Sequence, residues 1–579
     1  MRLQCKRWVV LWLAMAASAM GATEPVHAPH AIVVSVHELS SRAGVEVMQA
    51  GGNAIDAAVA TGFALAVVYP QAGNLGGGGF MLIRLADGRV RFVDYREKAP
   101  AAATANMYLD AQGNVVENAS VVGYKSIGVP GSVAGMVYAE KEYGKLTLAQ
   151  VMAPAIKLAR NGFPLAWQDA RDLHDQALAE FPESRRIFQR SGNYYKQGEN
   201  FRQPELARTL ERIASHPGEF YHGAMARELA ASIQKGGGLV TTEDLAHYEV
   251  KEREPIRGSY RGYEIISAPP PSSGGVALIE MLNILEGYDL AKAGNRAAAA
   301  VHLTVEAFRR AYYDRAEFLG DPDFSRIPVA QLIDKKYGAA WRLSIDPAHA
   351  SASKDLKRPA IFSELEQYAV LQPLAVREPE HTTHYSVVDS EGNAVAVTTT
   401  LNDDFGSRVT ADGLGFLLND EMDDFAVKQG VPNLYGLIQG PANAIGPGKR
   451  PLSAMTPTLV LKDGKLYLVL GSPGGARIIT TVANILMGVA DYGLNIQEAV
   501  NAPRFHNQWM PDAVNVEQSF SPDTVKLLEQ MGHKVEIGET VAGDWIPYWS
   551  DGECIAIDPK TGERLGASDF RNNGKAVGY

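Results

Sequence analysis

Two β-forming runs joined by a five-residue turn constrain this chain more than any other feature. Residues 381–388 read His-Thr-Thr-His-Tyr-Ser-Val-Val and residues 394–400 read Ala-Val-Ala-Val-Thr-Thr-Thr, both rich in β-branched side chains. Between them Asp389, Ser390, Glu391, Gly392 and Asn393 are turn formers. A symmetric hairpin through that turn sets Val388 opposite Ala394 and, followed to its open end, Thr382 opposite Thr400. Cross-strand partners have Cβ atoms about 5 Å apart. Asn402, two residues beyond Thr400, points to the same face. Thr382, Thr400 and Asn402 are therefore expected to converge. A slip of one residue would send one strand's side chains to the other face.

A threonine hydroxyl is a poor nucleophile without a base. Cutting the His381–Thr382 bond would give Thr382 a free α-amine beside its own hydroxyl, with a pKa near 7.7–8.0 that suits it to take the proton. The plainer reading is that these threonines are only strand formers. Two other segments bear on the choice. Gly471-Ser472-Pro473-Gly474-Gly475-Ala476-Arg477 sits between a strand (residues 466–470) and an apolar helix from about Ile478. Amides at such a junction either make the turn or bind an anion. Residues 418–425 (Leu-Asn-Asp-Glu-Met-Asp-Asp-Phe) are an acidic cluster, usually a solvated turn and otherwise a seat for a substrate ammonium. No set at metal-ligand spacing accompanies His381 and His384, so no metal or cofactor is expected.

The rest of the 579 residues sets the frame. Lys+Arg total 55 and Asp+Glu 66, a net charge of -11 with no basic run, which argues against a general nucleic-acid binder. Arg2, Lys6 and Arg7, the apolar run 8–17 and small residues after it have the layout of a secretory signal over residues 1–22. A periplasmic or secreted protein follows, of charge -11 - 3 = -14, with Cys554 as its one cysteine and hence no intrachain disulfide. Residues 54–69 read as a buried helix opened by Gly51-Gly52-Asn53. The glycines at 76–79 admit a close backbone or ligand and do not fit a dinucleotide loop. Residues 140–250 are mostly helical, a helix covers 301–318, and residues 346–380, polar with four prolines, read as an exposed connector.

Taken together these segments resemble the γ-glutamyltranspeptidase (glutathione hydrolase) family of N-terminal-nucleophile hydrolases. The likeness also runs through residues 51–58, 74–80, 94–97, 269–275, 449–453 and 566–569. It implies an α/β fold, a four-layer αββα sandwich. The precursor would cut itself into a large subunit (23–381) and a small one (382–579) that form one intertwined catalytic domain. By the same resemblance Thr382 is the nucleophile and Thr400 supports it. Asn402, Glu421 and Asp424 hold the γ-glutamyl α-amine, and Arg96 and Ser453 hold the α-carboxylate. Gly474 and Gly475 supply oxyanion amides, and residues 429–440, with Tyr435, form a lid. The partners implied are glutathione and related γ-glutamyl compounds, acceptor amines or water, and the other subunit.

The physical chemistry agrees. Acids and an amide oxygen suit an ammonium, and a guanidinium suits a carboxylate. Two departures stand out. Ala454 occupies a place where many relatives carry a second serine, and residues 543–549, with Trp545 and Trp549, have no role that the sequence assigns. A β-lactam side-chain acylase on the same scaffold and a non-catalytic periplasmic γ-glutamyl-binding protein are the rival readings.

Overall fold

The computed structural model describes residues 24–365, 382–541, 544–546 and 548–579. The signal-like residues 1–22, His381 and the connector beyond residue 365 lie outside the described residues.

The hairpin forms in the register the sequence predicts. Thr383–Val388 pairs antiparallel with Ala394–Thr400, with Val388 opposite Ala394 and Thr383 opposite Thr399. These two strands occupy the middle of a seven-stranded antiparallel sheet. Ile32–Ser35 and Lys575–Gly578 flank them on one side. Gly78–Arg84, Val90–Asp94 and Lys251–Arg253 flank them on the other. A second seven-stranded sheet runs Val26–Ala28, Arg564–Ala567, Cys554–Ile557, Lys465–Leu470, Thr458–Lys462, Tyr263–Ser267, Ile256–Tyr260.

Alternation along each strand builds the layers. In the first sheet Phe80, Leu82, Val388, Ala394 and Ala396 turn inward and meet Ile266, Leu459, Val469 and Ile555 of the second. Met81, Ile83, Tyr385, Val387, Val395 and Val397 turn outward onto the helices Glu38–Gln49 and Ala54–Val68. The second sheet's other face, with Ile265, Val460, Leu468 and Cys554, is covered by Gly274–Leu285, Ala298–Phe318 and Ile478–Ala490. The result is the expected helix–sheet–sheet–helix sandwich. Ala54–Val68 is buried at all its residues and starts at a capping box of Asn53 and Asp56.

Both sheets contain strands from before and from after residue 382, so a cut there divides the chain but not the core. The glycine run admits backbone: a Cβ on Gly77 would lie 2.0 Å from the Thr400 carbonyl oxygen. Asn74 completes that approach, donating to the Thr400 carbonyl at 2.9 Å and accepting from Gly77 N at 3.0 Å.

The connector departs from expectation at its start. Ser351 N donates to Glu306 at 3.1 Å, Ser353 N to Asp512 at 2.8 Å, and Arg358 pairs with Asp314 at 2.7 Å and Glu317 at 2.8 Å. Those polar residues read as solvated in isolation. They are held by charged partners on the helix Ala298–Phe318 and by Asp512, which the local sequence does not display.

Candidate active site

The open end of the hairpin, the Gly474–Gly475 turn, the 421–424 turn and the segment after Val90–Asp94 surround one pocket. Arg96, Thr382, Thr400, Asn402, Glu421, Asp424, Tyr435, Ser453 and Gly475 line it. Nine of the ten residues singled out from the sequence thus meet at one place, and Gly474 precedes Gly475 at its edge. Leu437, Ala454, Met455 and Ile478 supply apolar wall.

Thr382 Oγ1 lies 3.3 Å from Thr400 Oγ1, and the Asn402 amide donates to Thr400 Oγ1 at 2.9 Å. Asn402 adopts φ 88°, a left-handed conformation that asparagine tolerates better than most residues. Its Nδ2 donates to the Asp420 carbonyl at 3.2 Å and to Asp420 Oδ2 at 3.0 Å. Both amide protons are thereby committed, which leaves Oδ1 as the pocket-facing acceptor. The Tyr435 hydroxyl donates to the Asn402 carbonyl, tying the 429–440 segment to the hairpin.

The acidic cluster is not a solvated turn. Glu421–Asp424 is a single 3-10 turn whose four residues are buried. Asn419 fixes its entry, accepting from Gly128 N at 2.8 Å and Glu421 N at 3.1 Å. What makes the burial tolerable is Arg96, itself fully buried. Its NH1 lies 2.6 Å from Glu421 Oε1, its NH2 donates to Asp424 Oδ2, and its Nε reaches the Pro451 carbonyl at 3.3 Å. Arg96 is therefore not a surface strand end, and the groups the sequence assigned to opposite ends of a substrate pair with one another here. Burial pushes the Glu421 carboxyl well above its usual range, against the pull of Arg96. It pushes Asp423 up to about 6.

Ser453 is buried next to Ala454, its Oγ accepting the Met455 amide at 3.1 Å. Across the pocket, Gly474 (φ 123°) and Gly475 (φ 50°) turn the chain into the Ile478–Ala490 helix. Among the described residues their amides donate to no acceptor. A Cβ on Gly475 would lie 2.5 Å from Tyr435 Cδ1, so glycine is required both by φ and by the Tyr435 ring. Behind the turn, Arg477 lies 4.6 Å over the buried Trp549 ring, and Tyr312 donates to the Ala476 carbonyl. Trp549 thus has a place the sequence could not give it. The rest of 543–549 is described only in part. His384, two residues from Thr382, faces the second sheet and bonds Thr398 Oγ1 at 2.9 Å; burial pushes it down to about 3, so it is neutral.

Sequence reasoning missed Glu97, Asp420 and Asn433. Glu97 stands beside Arg96 in a motif already noted, and Asn433 Nδ2 donates to Asp424 Oδ1 at 3.2 Å.

The family model for γ-glutamyltranspeptidase matches residues 40–579. The chain belongs to the γ-glutamyltranspeptidase family. A glutathione hydrolase proenzyme of Pseudomonas sp. (strain A14) is 51% identical over 96% of this chain and 95% of that protein. One of Escherichia coli (strain K12) is 49% identical over 95% of this chain and 91% of that protein. Among solved structures, a cephalosporin acylase from Bacillus halodurans superposes with a TM-score of 0.79 at 27% identity, covering 96% of this chain and 97% of that one. The four-layer fold is therefore shared with an acylase.

Proposed function

We propose that this protein is an exported γ-glutamyl hydrolase and transferase, made as a precursor that cuts its own His381–Thr382 bond. The observation that carries the reading is the pairing, within one pocket, of a threonine at a strand start with a buried arginine and two buried acids. In the cut, Thr382 Oγ1 attacks the His381 carbonyl, and the ester that replaces the amide is hydrolysed by water. The new α-amine then takes the hydroxyl proton as Oγ1 attacks a γ-glutamyl carbonyl. The amides of Gly474 and Gly475 receive the oxyanion, a contribution of about 10²–10³ in rate per donor. The proton passes to the leaving amine, Cys-Gly for glutathione, and a γ-glutamyl ester stays on Thr382. Water or an acceptor amine releases it.

Substrate recognition follows from the ion cluster. A γ-glutamyl end carries one carboxylate and one ammonium. The carboxylate takes Arg96 and the Ser453 hydroxyl; the ammonium takes Asn402 Oδ1, Glu421 and Asp424. Each charge released by one partner is received by another, so a zwitterionic substrate end adds no net charge to the buried cluster. The acylase fold neighbour keeps a second reading in play, but a glutaryl chain has no ammonium and would leave two buried acids unpaired. The signal-like residues 1–22 support export.

N-terminal sequencing of the smaller fragment of purified protein, with turnover of γ-glutamyl-p-nitroanilide and glutaryl-p-nitroanilide side by side, tests the reading. A fragment beginning Thr382 and selective γ-glutamyl turnover are expected. No γ-glutamyl hydrolysis at any pH from about 6 to about 10 overturns it. An uncut chain that only binds γ-glutamyl compounds would favour the binding-protein alternative.

A further inference from the structure

Glu97 is fully buried beside the pocket and absent from the roles assigned so far. Its Oε2 stands 3.6 Å from Arg96 NH1, the same nitrogen that lies 2.6 Å from Glu421 Oε1. Neither contact has the alignment of a hydrogen bond, and all four carboxylate oxygens of Glu97 and Glu421 are buried with no hydrogen-bond donor among the described residues. Space is made for Glu97 by Gly78, where a Cβ would lie 2.5 Å from Oε2. Three carboxylates, of Glu97, Glu421 and Asp424, therefore crowd one guanidinium. A second buried cation, Arg315, faces Asp424 and is engaged by Ser273 at 2.9 Å. Buried charges without partners are the costliest groups a fold can hold.

We infer that Glu97 and Glu421 hold one proton between them, and that this pair sets the pocket's specificity for a zwitterionic substrate end. The inference rests on the functional reading above. With the proton in place, one carboxyl is neutral and Arg96 is left free to take the substrate carboxylate. Without it, the ionised Glu97 competes for NH1, while Asn402 and Asp424, the acceptors for the ammonium that stand outside the pair, are unchanged. The lost proton thus weakens the half of recognition that Arg96 supplies.

The surroundings hold the proton there. Burial, ahead of the opposing pull of Arg96, pushes Glu97 up to about 7 and Glu421 well above its usual range. Asp424 raises both, and Asp420 raises Glu421. The remaining titratable neighbours are the phenols of Tyr95, Tyr221 and Tyr248, facing Glu97, and of Tyr435, facing Glu421. All are pushed up by burial and stay neutral. Because the pair is coupled, it loses the proton as a unit. The sign follows: deprotonation adds negative charge, so KM rises with pH.

The test compares wild type with Glu97→Gln and Glu421→Gln, each of which fixes a neutral donor in the pair. KM and kcat for γ-glutamyl-p-nitroanilide are measured from about pH 6 to about pH 9.5. The substrate's own amine titrates identically in all three proteins, so the ratio of wild-type KM to variant KM isolates the pair. That ratio is expected to climb at least about tenfold across the range, ~1.4 kcal/mol, with no matching change in the kcat ratio. Either variant suffices if the other is not processed. A ratio independent of pH, with turnover intact, overturns the shared proton alone. Absence of γ-glutamyl turnover in wild type instead removes the functional reading beneath it.

Discussion

Replacing Arg96 by alanine probes recognition and stability together. Arg96 has no exposed surface and faces Glu421 at 2.6 Å, Glu97 at 3.6 Å and Asp424. Removing one partner of a buried ion pair costs about 3–5 kcal/mol of stability, because the acids left behind must be neutralised or hydrated. Neutralisation means proton uptake. Without the guanidinium the folded-state carboxyls of Glu97 and Glu421 lie further above their unfolded values near 4.3. Stability held at low pH is then lost as pH rises through the folded values. The Tm deficit of Arg96→Ala should therefore be small near pH 5 and several-fold larger near pH 8. For catalysis, a charged hydrogen bond to the substrate carboxylate is worth about 1.5–3 kcal/mol. At 1.4 kcal/mol per tenfold, kcat/KM should fall about ten- to a hundredfold. Ser453 cannot compensate, because its neighbour Ala454 offers no second hydroxyl. Self-cleavage involves no γ-glutamyl group, so the variant should still split on a denaturing gel. Arg96→Lys, which keeps the charge and loses the fork, should process fully and show a smaller loss. Processing, kcat/KM and Tm at the two pH values are read on the same preparation. Normal processing with efficiency within about twofold of wild type would refute the reasoning and reopen the acylase reading.

Thr382→Ala should remain one band, whereas wild type yields a small fragment of 198 residues (579 - 382 + 1); cutting of the variant at that bond would assign the cleavage to another protease. Gly77→Ala drives a Cβ to 2.0 Å from the Thr400 carbonyl oxygen, so it should displace Thr400 and slow self-cleavage by at least about tenfold, read as precursor persisting on a gel. Glu140 is buried with both carboxylate oxygens lacking a hydrogen-bond partner among the described residues, and burial, then the charge of Asp56, pushes it up to about 9. A raised folded pKa means stability is lost as pH rises, so Glu140→Gln should gain on the order of 1–2 °C in Tm near pH 8 and nothing near pH 4; equal shifts at both would remove the titration argument.

The amino-acid sequence determined local structure wherever a short-range rule decided it. Period-two alternation and a five-residue turn placed the hairpin register, and with it the meeting of Thr382, Thr400 and Asn402. Asn53 before an apolar run announced the buried helix, and a strand–glycine–helix junction announced the Gly474–Gly475 turn. The family resemblance gathered Arg96, Glu421, Asp424, Ser453 and Tyr435 into one pocket, something no local rule does. Tertiary structure alone decided what each of these groups faces. Residues 418–425 look solvated because their neighbours in sequence offer no positive charge; they are buried because Arg96, 328 residues from Asp424, turns into them. The start of the connector looks unpacked for the same reason, its partners Glu306, Asp314 and Asp512 being distant in the chain. Glu97 is adjacent to Arg96 in sequence, yet only the sheet's path past Gly78 brings its carboxyl to Glu421 without a donor. Whether a polar side chain is solvated, paired or short of a proton depends on the dielectric and charge around it, and those are set by residues that the sequence leaves far apart.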